Sequence, residues 1–330
     1  DNSIYQILPQ AVVFPRTTKD VAMILSLAAE PTFRALKLSP RGGGTGTNGQ
    51  SLSSGIVIDC SKHMREILEI NLEERWVRVQ PGVILDQLNA ALAPSGLFFA
   101  PNLSPANRAT LGGMINTDAC GKGSRVYGRT SNHVLGLTVV LSDGAVWPCT
   151  PLSPQGLESA KKRPGKVGAI HRLLAEIHEQ KAALIEASFP KMDRFLTGYN
   201  LAAIFDDAEQ FRLDQIICGS EGTLGVVTEA KLNLEPIPRF KGLVAVGYDG
   251  FDAALSDAMA LLAGEPSAIE TVDETILELA RGDAIWHRVA PLIGRDDRVR
   301  TVNLVEYTGH SSEEITDRMA ALQGSHEGRQ

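Results

Sequence analysis

The stretch that most constrains this chain is RGGGTGTNG (41–49), delivered by the apolar run ALKLSP (35–40) and followed at once by GIVIDC (55–60). Gly42, Gly43, Gly44 and Gly46 together carry a large conformational-entropy cost. A stable loop accepts that cost where the backbone must take positive φ or lie against a ligand, and successive bare N–H groups form an anion nest. No Gly-Lys-Ser/Thr ends the run, so it is not a P-loop. Gly44, Gly46 and Gly49 satisfy G-x-G-x-x-G, but a dinucleotide fold needs a helix to start there and a strand follows instead. A plain loop between two strands remains the alternative.

Two further clusters fall among the 31 glycines of the 330 residues. In ATLGGMINTDACGKG (109–123), Gly112 and Gly113 with Thr110, Asn116 and Thr117 suit a tight strand entry on which a flat ligand rests; a β-bulge at a sheet edge is the alternative. In GSEGTLGVVTEAKL (219–232), Glu221 sits between glycines ahead of a strand, either as a ligand-binding turn or as a glycine-rich hairpin. Three strand-flanked clusters so far apart predict one extended ligand held by several loops. A pyrophosphate suits them, because its charges need several donors.

Around these clusters the chain reads as α+β. AVVFP is a short strand. Thr18 is expected to cap a helix running to Ala29. RWVRVQPG (75–82) is a strand, Val83–Ala93 an amphipathic helix, and 133–147 a hairpin turning at Asp143–Gly144. SPQGLESAKKRPGK (153–166) reads as a loop, with a helix over 169–188, the two lying in a largely helical excursion of about 151–215. Residues 215–238 return to strand–turn–strand. The prolines at 236 and 238 set a boundary between a domain of 1–238 and one of 239–330. The latter has strands at 242–248, 268–273 and 300–309 and helices at 252–263, 274–281 and about 311–323. It looks like the opening part of an α+β layer, since sheets usually hold more strands.

The charge sum is −7, which gives no basic excess for nucleic acid. No 18-residue apolar run is present, so no membrane span is expected. The start, DNSIYQILPQ, reads as the edge of something longer rather than a signal peptide. Cys60, Cys120, Cys149 and Cys218 are isolated, which argues against a zinc or iron–sulfur site in this chain and fits a reducing, cytoplasmic setting. His171 and His178 share a helix face but lack a third ligand, so no metal site is expected.

The strings P-R-G-G-G-T-G, P-G-V, T-L-G-G-M, Y-G and G-S-E-G-T-L-G together resemble the FAD domain of the vanillyl-alcohol oxidase and p-cresol methylhydroxylase superfamily. DNSIYQ, FFAPNLSPANRATLGGMINTDACG, DRFLTGYNLA and IETVD are similar, within its D-2-hydroxy-acid dehydrogenase branch, to the large bacterial FAD and iron–sulfur D-2-hydroxyglutarate dehydrogenases. The resemblance implies a two-part FAD-binding domain followed by the first part of a substrate (cap) domain. It implies that Arg41, Gly42, Gly43, Gly44, Thr45 and Gly46 cradle the pyrophosphate and that Asn48 and Gly49 continue that loop. It places Pro101 and Ser104 near the flavin, Thr110, Gly112, Gly113, Asn116 and Thr117 along ring and phosphates, and Glu221, Gly225, Val226 and Val227 on the adenosine side. Relatives with covalent FAD carry His where this chain has Thr45, so non-covalent FAD is expected.

The implied reaction is oxidation of a D-2-hydroxy acid, D-2-hydroxyglutarate first, with electrons passed to iron–sulfur centres outside this chain. D-lactate or glycolate oxidation, or a non-catalytic flavin or electron-transfer module, are the alternatives. The carboxylate-holding Arg and Lys and an H-x-x-G-D-G-N-x-H-like metal stretch of such enzymes are not found within residues 1–330, so the catalytic residues and any divalent metal are expected beyond them. The electron acceptor is expected to act through that missing region, and oligomeric state is left open.

Overall fold

The computed structural model describes residues 1–192, 198–293 and 298–326; residues 193–197, within the string DRFLTGYNLA, lie outside the described residues. The chain divides into two compact units, Asp1–Pro236 and Ile237–Gln330.

The first unit opens with β1 (Ala11–Val13), α1 (Thr18–Ala28), β2 (Leu38–Arg41) and β3 (Ile56–Asp59). These strands form a parallel sheet in the order β1-β3-β2. The cap of α1 is Thr17, one residue earlier than expected. Its hydroxyl accepts from the Asp20 N–H at 3.2 Å while the Asp20 carboxylate accepts from the Thr17 N–H at 3.0 Å, a reciprocal capping box.

Next come β4 (Ile67–Asn71), β5 (Trp76–Val79), α2 (Leu85–Leu92), β6 (Leu97–Phe98), α3 (Leu111–Asn116) and α4 (Ser124–Tyr127). They are followed by β7 (Val134–Val140), β8 (Val146–Cys149), α5 (Pro154–Lys161), α6 (Gly165–Ser188), α7 (Leu213–Ile217), β9 (Val226–Asn233) and β10 (Glu235–Pro236). An antiparallel sheet in the order β4-β5-β9-β7-β8 forms the second part of the unit, and β10 pairs with β6. Its core includes Val77, Val79, Leu88, Leu92, Leu111, Ile115 and Leu232. Burying each such side chain contributes roughly 1.5–3 kcal/mol. A smaller core of Val21, Leu25, Ile58, Met64, Val140 and Val226 ties α1 and the parallel sheet to the ends of β7 and β9.

Three expectations are corrected. Residues 111–116 are helical rather than a strand entry: Leu111 and Ile115 are fully buried, and their packing outweighs the cost of about 1 kcal/mol per helical glycine. The expected loop at 153–166 contains α5, started by Ser153, whose hydroxyl accepts from the Gly156 N–H at 3.2 Å, with Pro154 as first helical residue. At 215–225 a turn follows the short helix α7, and a strand begins only at Val226.

The second unit holds β11 (Phe240–Tyr248), α8 (Phe251–Leu262), β12 (Ala268–Val272), α9 (Glu274–Arg281), α10 (Trp286–Ile293), β13 (Thr301–Gly309) and α11 (Ser312–His326). Its antiparallel sheet runs β11-β13-β12, with Val244, Leu261, Val305, Tyr307, Ile315 and Leu322 in the core. Helix α10 was not read from the sequence. Among the described residues no helix is long and apolar enough to cross a membrane.

Candidate functional site

Three segments of the first unit enclose one cleft of about 250 Å³. The first is the loop that leaves β2 at Arg41. Gly44 takes a left-handed φ of +61°, and the Arg41 guanidinium lies against it where a side chain would stand. A Cβ on Gly42 would run into the Thr110 hydroxyl, and one on Gly43 into the Arg108 carbonyl oxygen. The Gly43 N–H donates to Thr110 Oγ1 at 3.3 Å. These two glycines are therefore set by the close approach of the segment leading into α3.

The second segment is Ala109–Thr117. Gly112 sits on Pro81, whose Cβ is 2.6 Å from the place a Cβ would take. Asn116 Nδ2 donates to the Gly112 carbonyl at 2.7 Å and the Thr117 hydroxyl to the Gly113 carbonyl at 3.0 Å. The donors of both side chains thus turn back onto α3.

The third segment is the turn 219–222, with positive φ at Gly219 (+79°), Glu221 (+54°) and Gly222 (+76°). The Gly219 N–H donates to the Ile115 carbonyl at 3.0 Å and the Glu221 N–H to the Asn116 carbonyl at 2.8 Å. The turn thereby donates to two carbonyls at the C-terminal end of α3, of which Ile115 also accepts from the Asp118 N–H. Gly222 packs on Pro40, whose Cγ is 2.6 Å from the place of a Cβ.

Of the residues singled out in the sequence, Arg41–Gly46, Thr110, Gly112, Gly113, Asn116, Thr117, Glu221, Val226 and Val227 line this cleft. Asn48, Gly49, Pro101, Ser104 and Gly225 do not. Gly49 serves the loop's return, with φ +82° and the Tyr5 ring 3.1 Å from the place of a Cβ. Gly225 is held by packing under β7, Val139 Cγ1 being 2.7 Å from the place of a Cβ. Pro101 is buried and Ser104 exposed. The sequence reading missed Thr47, Gln50 and Ser51 of the same loop, together with Pro81, Leu103, Met114 and Gly222. Gly222 lay within the third glycine cluster, Pro81 within the P-G-V string and Met114 within T-L-G-G-M; as apolar side chains, Leu103 and Met114 are not separated from core residues by type.

Among the described residues, the amides of Gly44, Thr45 and Gly46 have no hydrogen-bond acceptor. Three consecutive free N–H groups beside a guanidinium form a nest for an anion. Leu103, Met114, Val226 and Val227 add an apolar lining to the cleft. Hard donors together with an apolar lining fit a flavin dinucleotide. Cys60 also lines the cleft, but burial pushes its thiol up to about 12, which makes it inert.

His171 and His178 are packing residues. The His171 ring lies against Trp147 and Phe211, its Nδ1 is 2.7 Å from the Val167 carbonyl oxygen, and burial lowers its pKa. His178 packs on Phe205. Among the described residues no group of three His, Cys, Asp or Glu side chains is placed to hold a metal.

Residues 9–150 match the FAD binding domain family, and residues 237–329 match the C-terminal domain of FAD linked oxidases. The chain is thus similar to a FAD binding domain over its first part and to the C-terminal domain of FAD linked oxidases over its last. It is 54% identical over 98% of its length to a D-2-hydroxyglutarate dehydrogenase of Pseudomonas putida and 50% identical over 98% to one of Escherichia coli K12. It spans 32% of the length of each of those relatives. A glycolate oxidase subunit GlcD of Bacillus subtilis is 30% identical over 92% of this chain and 53% of its own. Among solved structures, an alkyldihydroxyacetonephosphate synthase shares the fold with a TM-score of 0.64 at 17% identity, over 95% of this chain and 49% of that one.

Glu221 is exposed, yet the atoms around its carboxyl exclude enough water to raise its pKa above the ordinary 4.5. Folded protein then keeps a proton that the unfolded chain has lost. Stability therefore falls as pH rises from 4.5 through the raised folded value, and the penalty is complete above it. Glu221→Gln is expected to raise the melting temperature of the flavin-free protein at neutral pH and to lose that advantage below pH 4.5. Melting curves across this range check it, and identical curves at every pH would remove the assignment.

Proposed function

We propose that this chain is the flavin-binding part of a FAD-dependent D-2-hydroxy-acid dehydrogenase that prefers D-2-hydroxyglutarate to D-lactate or glycolate. The observation that carries this reading is the identity of 54% and 50% to D-2-hydroxyglutarate dehydrogenases over 98% of the chain, against 30% to the glycolate oxidase subunit.

The Gly44, Thr45 and Gly46 amides with Arg41 would hold the diphosphate of FAD. Thr110 fixes the loop through Gly43, and Leu103, Met114, Val226 and Val227 exclude water from the apolar part of the cofactor. Thr45 offers no imidazole for a covalent link, so the cofactor is held by these contacts alone. Bound FAD supplies the acceptor for the hydride leaving the hydroxyl-bearing carbon. Asn116 and Thr117 donate to the Gly112 and Gly113 carbonyls and so help to hold α3, which lines the cleft.

Resemblance supports placing the cation for the acid's carboxylate, the proton acceptor, any divalent metal and the iron–sulfur centres outside residues 1–330. It also supports a cytoplasmic enzyme passing electrons to an acceptor through that region. The 330-residue chain, supplied with FAD, D-2-hydroxyglutarate and an artificial acceptor dye, is then expected to give no steady turnover. General acid–base help alone is worth about 10²–10⁴-fold. Turnover near the full-length rate would place the catalytic groups within this chain.

The functional reading is tested by mixing flavin-loaded full-length protein anaerobically with D-2-hydroxyglutarate. Rapid loss of oxidised-flavin absorbance is expected, with slower loss for D-lactate. Bound flavin that no D-2-hydroxy acid bleaches would overturn the reading.

A further inference from the structure

Residues 1–5 lie across the glycine loop, and the flavin cleft does not account for them. The Asn2 N–H donates to the Gly46 carbonyl at 3.0 Å. The Tyr5 ring packs where Gly49 has no side chain. Asp1 Oδ1 accepts from the Ser3 N–H at 2.6 Å, and Asp1 Oδ2 accepts from the Ser51 hydroxyl at 2.8 Å. That same Ser51 oxygen accepts from Arg41 Nη1 at 3.4 Å. Arg41 opens the loop, Ser51 ends it, and both line the cleft. Ser51 therefore joins the two ends of the loop to one another and to the N-terminal segment.

We infer that Ser51 and Asp1 form a clasp that positions the glycine loop for flavin binding. The inference rests on the reading of residues 41–46 as the diphosphate cradle. A loop this rich in glycine samples many backbone states, and binding an anion on its amides requires one of them. Closing the loop through Arg41, Ser51 and Asp1 restricts it beforehand, so less ordering remains to be supplied by the ligand. The Ser51 contact also fixes the guanidinium over Gly44, beside the free amides. Ser51 is a positioning residue: it acts through Arg41 and the loop backbone.

The test is FAD affinity, by fluorescence titration of flavin-free full-length protein, alongside its melting temperature. Ser51→Ala is expected to weaken FAD binding on the order of tenfold, the size of one hydrogen bond to a charged group. The flavin-free melting temperature should stay unchanged, whereas a merely structural role would lower it in parallel. Ser51→Thr, which keeps the hydroxyl, should restore affinity. Asp1→Ala, which leaves the Arg41–Ser51 contact in place, should weaken binding less than Ser51→Ala, and the double variant should bind no more weakly than Ser51→Ala, which already removes the Asp1 contact. Unchanged affinity in Ser51→Ala, or losses that multiply in the double variant, would overturn the clasp. Gly43→Val separates the two levels. If it loses flavin while Ser51→Ala does not, the clasp alone falls; if Gly43→Val also keeps flavin, the cradle falls and the clasp with it.

Discussion

Full-length protein carrying Gly43→Val is expected to lose at least about 100-fold in FAD affinity, the cost of two charge-assisted hydrogen bonds at about 1.5–3 kcal/mol each, with tenfold per 1.4 kcal/mol. A Cβ at this position runs into the Arg108 carbonyl oxygen. Backbone cannot yield as a flexible side chain does, so the loop itself must move. Its movement breaks the Gly43 N–H contact to Thr110 and turns the neighbouring amides of Gly44 and Thr45 out of the cleft. The core clusters lie elsewhere, so circular dichroism of the variant should match wild type. Fluorescence titration of flavin-free protein measures the loss, and wild-type affinity would show that the diphosphate does not sit on this loop.

Arg212→Met is expected to destabilise the first unit by about 3–5 kcal/mol, the cost of stripping one partner from a buried ion pair. Asp214 has no exposed surface and accepts from Arg212 Nε at 3.1 Å, Arg212 Nη2 at 2.7 Å and Gln215 Nε2 at 3.2 Å. Arg212 also reaches Asp206 at 3.3 Å and the Val134 carbonyl at 3.3 Å. Removing the guanidinium leaves the Asp214 carboxylate buried with only an amide beside it. The loss falls on α7, which leads directly into the turn 219–222, so flavin retention should drop with stability. Urea unfolding monitors the change. Arg212→Met combined with Asp214→Asn should recover part of it, since the uncompensated charge is gone. A loss of less than 1 kcal/mol would mean that the pair is not a structural element.

The legible part of the site was its backbone. Glycines at 42, 43, 112 and 222 stand where another chain segment passes too close for a Cβ, and such positions leave a mark in the sequence whatever surrounds them. The cleft wall was legible only in part: Val226 and Val227 were named, whereas Leu103 and Met114 are chemically the same as core residues. Asn116 and Thr117 were read as ligand contacts from residue type and from the family resemblance; both line the cleft, and each also donates to a carbonyl one turn earlier, an outcome decided by α3 forming at all. That helix was illegible for the same reason: two of its six residues are glycine, and only the burial of Leu111, Met114 and Ile115 against the rest of the unit favours it.

The strands GIVIDC and RWVRVQPG and the 133–147 hairpin were readable from apolar runs and the Asp143–Gly144 turn. Strand β4 (Ile67–Asn71) was missed because its exposed residues break the apolar pattern and its pairing with β5 alone defines it. Long-range polar ties were also invisible. Asp118 and Arg129 meet at 3.1 Å, and Asp118 accepts from the Ser131 N–H at 2.8 Å, yet nothing local marks any of the three.

The central claim is that the diphosphate of FAD rests on residues 41–46. An experimental structure of the FAD-loaded full-length protein measures this directly. Diphosphate oxygens within hydrogen-bond distance of the Gly44, Thr45 and Gly46 amides, with the Arg41 guanidinium beside them, are the predicted result. A diphosphate bound elsewhere, with these amides still turned to solvent, would contradict it.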